Sequence, residues 1–192
     1  TYIDNRKFLS VYFGGGTPVL AVDRLGEIIA TIEEHFIITE GIGLELHPRN
    51  VNVEMLTKLK AASVTKISIG IQSFQEKYQS ILGRDVVDME QMAAALAQVE
   101  FETMSMDFIF ALPNQTYLDL KKDIDLAFSH GANHVAIYPF IDFTFTSSKV
   151  KVMEKKEKRK LLDAITKYCM EQGYHRSSIW TFSSEKQAKY SS

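Results

Sequence analysis

The sequence predicts an α/β protein built on a parallel sheet, and three observations carry that expectation. Short β-branched and aromatic runs of strand length alternate with segments of helical three-and-four spacing. Five of the apolar runs break off into small polar or glycine-rich groups. Strands separated by helices return by right-handed crossovers, which makes neighbouring strands parallel.

Taken in order, residues 8–13 form an apolar run closed by Gly14-Gly15-Gly16-Thr17-Pro18 and read as a buried strand. A helix over 22–37 follows from Leu25, Ile28, Ile29, Ile32 and Phe36, with Asp23 placed to meet its first free amides. Residues 42–46 are the second strand, leading into His47-Pro48 and a helix over 53–62. The third strand covers 66–71 and ends at Gln72-Ser73; helical pieces at 76–82 and 88–99 come next. Residues 103–110 are the fourth strand, 117–128 its helix, and 134–138 the fifth strand. A charge-rich helix over 149–172 buries Leu161, Leu162, Ile165 and Tyr168 and stops at Gly173. One more strand is expected within 174–182, and 183–192 reads as a loose end.

Composition narrows the function classes. A chain of 192 residues suits one domain, and a net charge of -2 gives no electrostatic reason to expect nucleic acid. The lysines of 149–160 read as a solvated helix face. No apolar stretch reaches the roughly 18 residues of a membrane span, and the first residues hold no signal-peptide core. The one cysteine, Cys169, excludes an internal disulfide and any cluster or zinc site made of this chain's thiolates alone, which fits a reducing, cytoplasmic setting.

Polar residues collect where the strands end, the face on which parallel β/α arrays place their sites. Three successive glycines bring bare backbone up to a ligand, or else simply make a tight turn. Glu45 offers an ammonium acceptor if it faces the site and a solvated carboxylate if it does not. Gln72 is a hydroxyl acceptor or a satisfied loop amide. Arg84, after Gly83, is a carboxylate clamp or a surface cation. Asp107, inside an apolar strand, needs a partner to offset desolvation. A ligand with an amino acid at one end and a ribose at the other would use all of them, and S-adenosylmethionine is such a ligand.

Tyr12-Phe13-Gly14-Gly15-Gly16-Thr17-Pro18, Glu45-Leu46-His47-Pro48, Ser68-Ile69-Gly70-Ile71-Gln72-Ser73-Phe74 with Leu82-Gly83-Arg84, and Asp107-Phe108-Ile109-Phe110-Ala111-Leu112-Pro113-Asn114-Gln115-Thr116 occur in that order. Together they resemble the radical SAM branch that includes oxygen-independent coproporphyrinogen III oxidase. The resemblance implies a partial parallel β/α barrel over 1–145, with 146–192 as a C-terminal helix and strand extension of the same domain. It implies S-adenosylmethionine as cofactor, a [4Fe-4S] cluster in the parent protein, a 5′-deoxyadenosyl radical, and oxidative decarboxylation of porphyrinogen propionates. By position, Gly15, Gly16 and Thr17 would hold the methionine moiety with Glu45 beside it, and Arg84 would pair with its carboxylate. Gln72 and Asp107 would take the ribose hydroxyls, with Ile109 and Pro139 near adenine. A tetrapyrrole substrate and a reductant of flavodoxin or ferredoxin type are the implied partners.

The sequence also departs from that family. The three cluster cysteines, spaced C-x3-C-x2-C, are expected upstream of the glycine turn, so the first β/α unit is read as missing. No metal ligand and no catalytic residue is therefore assigned within these residues, and the chain as given is expected to be inactive. Its first strand then becomes an exposed edge, which predicts dimerisation. Ala111 stands where the family has glycine. Residues 173–182 lack the oxidase's Gly-Tyr-x-His-Tyr-Glu pattern. These departures leave open a methyltransferase or haem-processing enzyme of the same branch, a cluster-independent barrel acting on a phosphorylated metabolite, and a non-catalytic haem-binding module.

Overall fold

A computed structural model describes residues 6–84, 86, 88–141 and 153–184. The chain is an α/β fold with a mostly parallel sheet. Its elements in order are β1 (Arg6–Phe8), β2 (Val11–Phe13), α1 (Val22–His35), β3 (Phe36–Ile38), β4 (Ile42–Leu46), α2 (Val53–Ala61), β5 (Lys66–Gln72), α3 (Glu76–Ile81), α4 (Met89–Leu96), β6 (Thr103–Phe110), α5 (Tyr117–Ser129), β7 (His134–Pro139), α6 (Lys155–Glu171), β8 (His175–Arg176) and β9 (Thr181–Ser183). Strands of the larger sheet neighbour one another in the order β2-β4-β5-β6-β7-β9-β8. The described residues fall into two compact units, the first drawn from 6–70 and 88–105, the second from 71–84, 86, 106–141 and 153–184.

In the first unit β2, β4 and β5 pair in parallel, with Phe13 opposite Leu44 and Glu45 opposite Ser68. One face of β4 and β5 is aliphatic: Leu44, Leu46, Ile67 and Ile69 are buried, as are Leu25 and Ile29 of α1 and Leu56 and Leu59 of α2. Burying a side chain of that size contributes about 1.5–3 kcal/mol, so this face anchors the unit. Asp23 forms no cap; it lies in the first turn of α1 and pairs with Lys58 Nζ at 3.2 Å.

The run at 8–13 departs from the expected buried strand. It breaks at Leu9-Ser10 because its two halves choose different partners: β1 pairs with β3, and β2 pairs with β4. Each half is covered too little to bury its apolar side chains, leaving Phe8 44% and Leu9 65% exposed. The loop into β4 is locked by Thr65, whose Oγ accepts from Ile42 N at 3.1 Å. Gly41 sits beside it at φ 92, and a Cβ there would meet Thr65 Oγ at 2.2 Å. Gly41→Ala combines a left-handed backbone penalty with loss of that hydrogen bond, and about 2–4 kcal/mol of destabilisation is expected by urea unfolding.

β6 is buried on both faces over 103–105 and alternates only in its later part, within the second unit: Met106, Phe108 and Phe110 are buried, while Asp107 and Ile109 on the other face are half-buried. Leu120, Ile124 and Ala127 of α5 and Ile165 and Cys169 of α6 are fully buried. Phe128 stacks on Tyr174 with ring centroids 3.8 Å apart. The tail yields two strands, and both depart from the parallel pattern: β9 runs antiparallel to β7, and β8 antiparallel to β9. A short return through Ser177 and Ser178 cannot form a parallel crossover, which needs a dozen or more residues. α6 starts at Lys155 with a capping box from Glu154 and Glu157. The expected helix start at 149–152 and the end of the tail at 185–192 lie outside the described residues. Among the described residues, no helix is long and apolar enough to cross a membrane.

Candidate functional site

The glycine turn leaves β2 with Gly15 at φ 76 and Gly16 at φ 46, a conformation that other residues adopt only at a cost. A Cβ on either would meet nothing within 4 Å, so the backbone faces open space. Thr17 then opens a single helical turn, with Leu20 N donating to its carbonyl at 3.1 Å. Glu45, half-buried near the end of β4, accepts from Gly15 N through Oε2 at 3.1 Å. The Tyr12 ring packs against two glycines: it would lie 2.6 Å from a Cβ on Gly43 and 3.0 Å from one on Gly14. Two elements separated by 30 residues thus hold one carboxylate against bare backbone.

Three of the predicted residues stand at strand ends in the second unit. Gln72 closes β5 at φ 69, an uncommon backbone for a side chain of this kind. Ile109 and Pro139 lie near the ends of β6 and β7, and Phe140 N donates to Phe110 O at 2.7 Å, which brings those two strand ends together. Ala111 follows at φ 63 and is fully buried, so the position read as a glycine site does take a left-handed conformation. Arg84 is half-buried behind Gly83, and its amide donates to Gln79 O at 2.9 Å. Asp107 is half-buried on β6.

Polar side chains that the sequence reading passed over organise this second group. Asp119 of α5 accepts from Thr116 N, Thr116 Oγ, Tyr78 Oη at 2.9 Å and Lys77 Nζ at 2.6 Å. Burial alone would raise its pKa, but the bonds from Lys77, Thr116 and Tyr78 outweigh that and hold the carboxyl well below its ordinary range. Asp123, one turn on, is fully buried and accepts from Ser73 Oγ and Phe74 N. Burial pushes its pKa upward against those hydrogen bonds. The signal was present: two carboxylates four residues apart share a helix face, which costs energy unless each has donors.

A model of the radical SAM superfamily matches residues 2–127. The chain belongs to the radical SAM superfamily. Radical SAM proteins bind S-adenosylmethionine and a [4Fe-4S] cluster. The chain is 30% identical over 137 residues to the heme chaperone HemW of Synechocystis, covering 69% of this chain and 33% of that protein. It is also 30% identical over 116 residues to the oxygen-independent coproporphyrinogen III oxidase of Bradyrhizobium diazoefficiens, covering 57% of this chain and 26% of the oxidase. The chain therefore spans about a third of the length of the curated relatives it matches. In fold it is similar to the coproporphyrinogen III oxidase HemN of Escherichia coli, with a TM-score of 0.77 and 22% identity over 93% of this chain and 44% of that one. SuiB of Streptococcus suis bound to S-adenosylmethionine is a more distant likeness, TM-score 0.59 and 16% identity over 85% of this chain and 37% of that one.

The two radical SAM cofactors fit these residues differently. Open glycine backbone beside a held carboxylate suits the amino-acid end of S-adenosylmethionine, whose ammonium wants acceptors. The cluster does not fit: it needs three thiolates, and Cys169 is the only cysteine in the sequence. That thiol is fully buried, and burial, with the nearby Asp125 charge, pushes its pKa up to about 12. Among the described residues no group of three or more His, Cys, Asp or Glu side chains could hold a metal.

Proposed function

We propose that these residues form the S-adenosylmethionine-binding part of a haem- or porphyrin-handling radical SAM protein, with the cluster thiolates supplied from outside the 192 residues. The observation that carries the cofactor assignment is the bond from Gly15 N to Glu45. A phosphate bound at the glycine turn would compete for that amide and meet a carboxylate; an ammonium gains an acceptor. This favours an amino-acid ligand over the phosphorylated metabolite. Gly15, Gly16 and Thr17 then line the methionine moiety, Arg84 pairs with its carboxylate, Gln72 and Asp107 accept the ribose hydroxyls, and Ile109 and Pro139 flank adenine. The chemistry that this cofactor supplies is a sulfonium open to reductive cleavage. This chain's part is to bind and orient it.

For the tetrapyrrole, the relatives offer two readings, haem carriage and oxidative decarboxylation. Residues 173–182, without the oxidase pattern, favour haem carriage. Calorimetric titration of the chain with S-adenosylmethionine is expected to show one site. Arg84→Ala should weaken it about tenfold or more, the loss of a charged hydrogen-bonding pair. Unchanged affinity in a folded variant counts against the carboxylate assignment. Haemin titration of the same sample separates the two readings: a Soret shift on binding is expected for carriage, and coproporphyrinogen binding without haem binding would favour the oxidase.

A further inference from the structure

The turn after β5 is bound from several sides at once. Gln72 takes a left-handed backbone at φ 69, and the next residue, Ser73, is fully buried. Ser73 Oγ donates to Asp123 Oδ2 at 2.7 Å and accepts from Gln75 N at 3.1 Å. Ser73 O accepts from Gln79 Nε2 at 2.5 Å. Phe74 N donates to Asp123 Oδ1 at 3.1 Å, and the Phe74 ring meets Phe108 edge-on at 5.3 Å. Gln75 Nε2 reaches both Asp119 O at 2.9 Å and Asp123 Oδ1 at 3.4 Å. All of these residues belong to one compact unit.

A buried carboxylate is costly, and its two oxygens here meet donors from three consecutive residues of one turn. An apolar residue at 123 would fill the space between helix and turn without that cost, but would leave the turn free to relax at Gln72. A left-handed glutamine persists only where its surroundings over-determine it. The backbone sign at Gln72 also sets where its Cβ points, so the direction of its amide depends on the turn being held.

We propose that Asp123 is a positioning residue that fixes the turn after β5 and thereby aims the Gln72 amide at the ribose hydroxyls of the bound nucleoside. This rests on the proposed S-adenosylmethionine site, and Asp123 acts only through Gln72. Asparagine at 123 keeps the shape but replaces one acceptor with a donor facing Ser73 Oγ or Phe74 N, so it breaks the clamp without opening a cavity.

The test titrates S-adenosylmethionine into the full chain as wild type, Asp123→Asn, Gln72→Ala and the double variant. Each single change is expected to weaken binding about tenfold, and the double no further, because both remove the same contact. An analogue of the cofactor lacking both ribose hydroxyls should bind all four proteins alike. Additive losses, an analogue that also loses affinity, or unchanged affinity in folded Asp123→Asn would overturn the assignment. Should Asp123→Asn not fold, Ser73→Ala removes the two hydroxyl bonds, to Asp123 Oδ2 and from Gln75 N, and leaves the carboxylate paired with Phe74 N; it is expected to weaken binding about threefold, and no change counts against the clamp. Amide exchange at Phe74 and Gln75 supplies a ligand-free readout, expected to quicken at least tenfold in Asp123→Asn. Unchanged protection there overturns the clamp, whereas quickened exchange in a chain that binds no S-adenosylmethionine overturns the cofactor site and leaves the clamp standing.

Discussion

Replacing Asp119 by alanine should lower the stability of the chain by about 2–4 kcal/mol, or roughly 5–15 °C in Tm for a protein of this size. The carboxylate accepts from both polar groups of Thr116 at the start of α5, and loss of such a cap alone costs about 1 kcal/mol. It also holds the hydroxyl of Tyr78, a side chain only 1% exposed, whose other contact, to Asn114 O, is long at 3.4 Å. Removing Asp119 therefore strands a buried donor. Lys77 is more than half exposed, so Lys77→Ala should change stability by less than about 1 kcal/mol and serves as the control.

The pH dependence has a definite sign. Because the folded-state pKa of Asp119 is depressed, its stabilisation is fully present above the unfolded value of about 3.9 and is lost as pH falls through the folded value. Asp119→Asn cannot lose it. The stability gap between wild type and this variant should thus be constant from neutral pH down to about pH 5 and close on further acidification. A gap that instead widens in acid would mean that the carboxylate is not the acceptor these contacts describe.

Much of the fold was legible because periodicity and punctuation agreed. The eight residues of β6 and the start of α5 follow from an apolar run over 103–110 and a helical pattern over 117–128, to which the structure adds the cap at Thr116. Where two rules competed, the reading failed. The run at 8–13 has strand composition, but composition does not say that a chain will change partners midway, as it does at Leu9-Ser10. Alternation likewise does not give direction, so the antiparallel sense of β8 and β9 was not foreseen. Of the predicted binding residues, Gly15 and Glu45 are joined directly, and Ile109 and Pro139 lie on adjoining strand ends. The supporting carboxylates on α5 escaped because an acidic residue on a helix ordinarily faces water. Only the spacing of Asp119 and Asp123 hinted otherwise.

Glu45→Ala is expected to weaken S-adenosylmethionine by about 10- to 100-fold, since hydrogen bonds to a charged group contribute about 1.5–3 kcal/mol. Stability should hardly move: Glu45 is half-buried, and the amide it frees belongs to an exposed glycine that water can serve. Glu45→Gln separates the two roles of the side chain. It can still accept from Gly15 N and keep the turn in place, but it no longer offers a full charge to an ammonium, so its affinity should fall between wild type and alanine. A glutamine variant as weak as alanine would assign the whole effect to charge; one equal to wild type would assign it to the turn. The same pair of variants tests the phosphate alternative, because removing a carboxylate beside a phosphate site would tighten inorganic phosphate. Tighter phosphate together with unchanged S-adenosylmethionine would overturn the cofactor assignment.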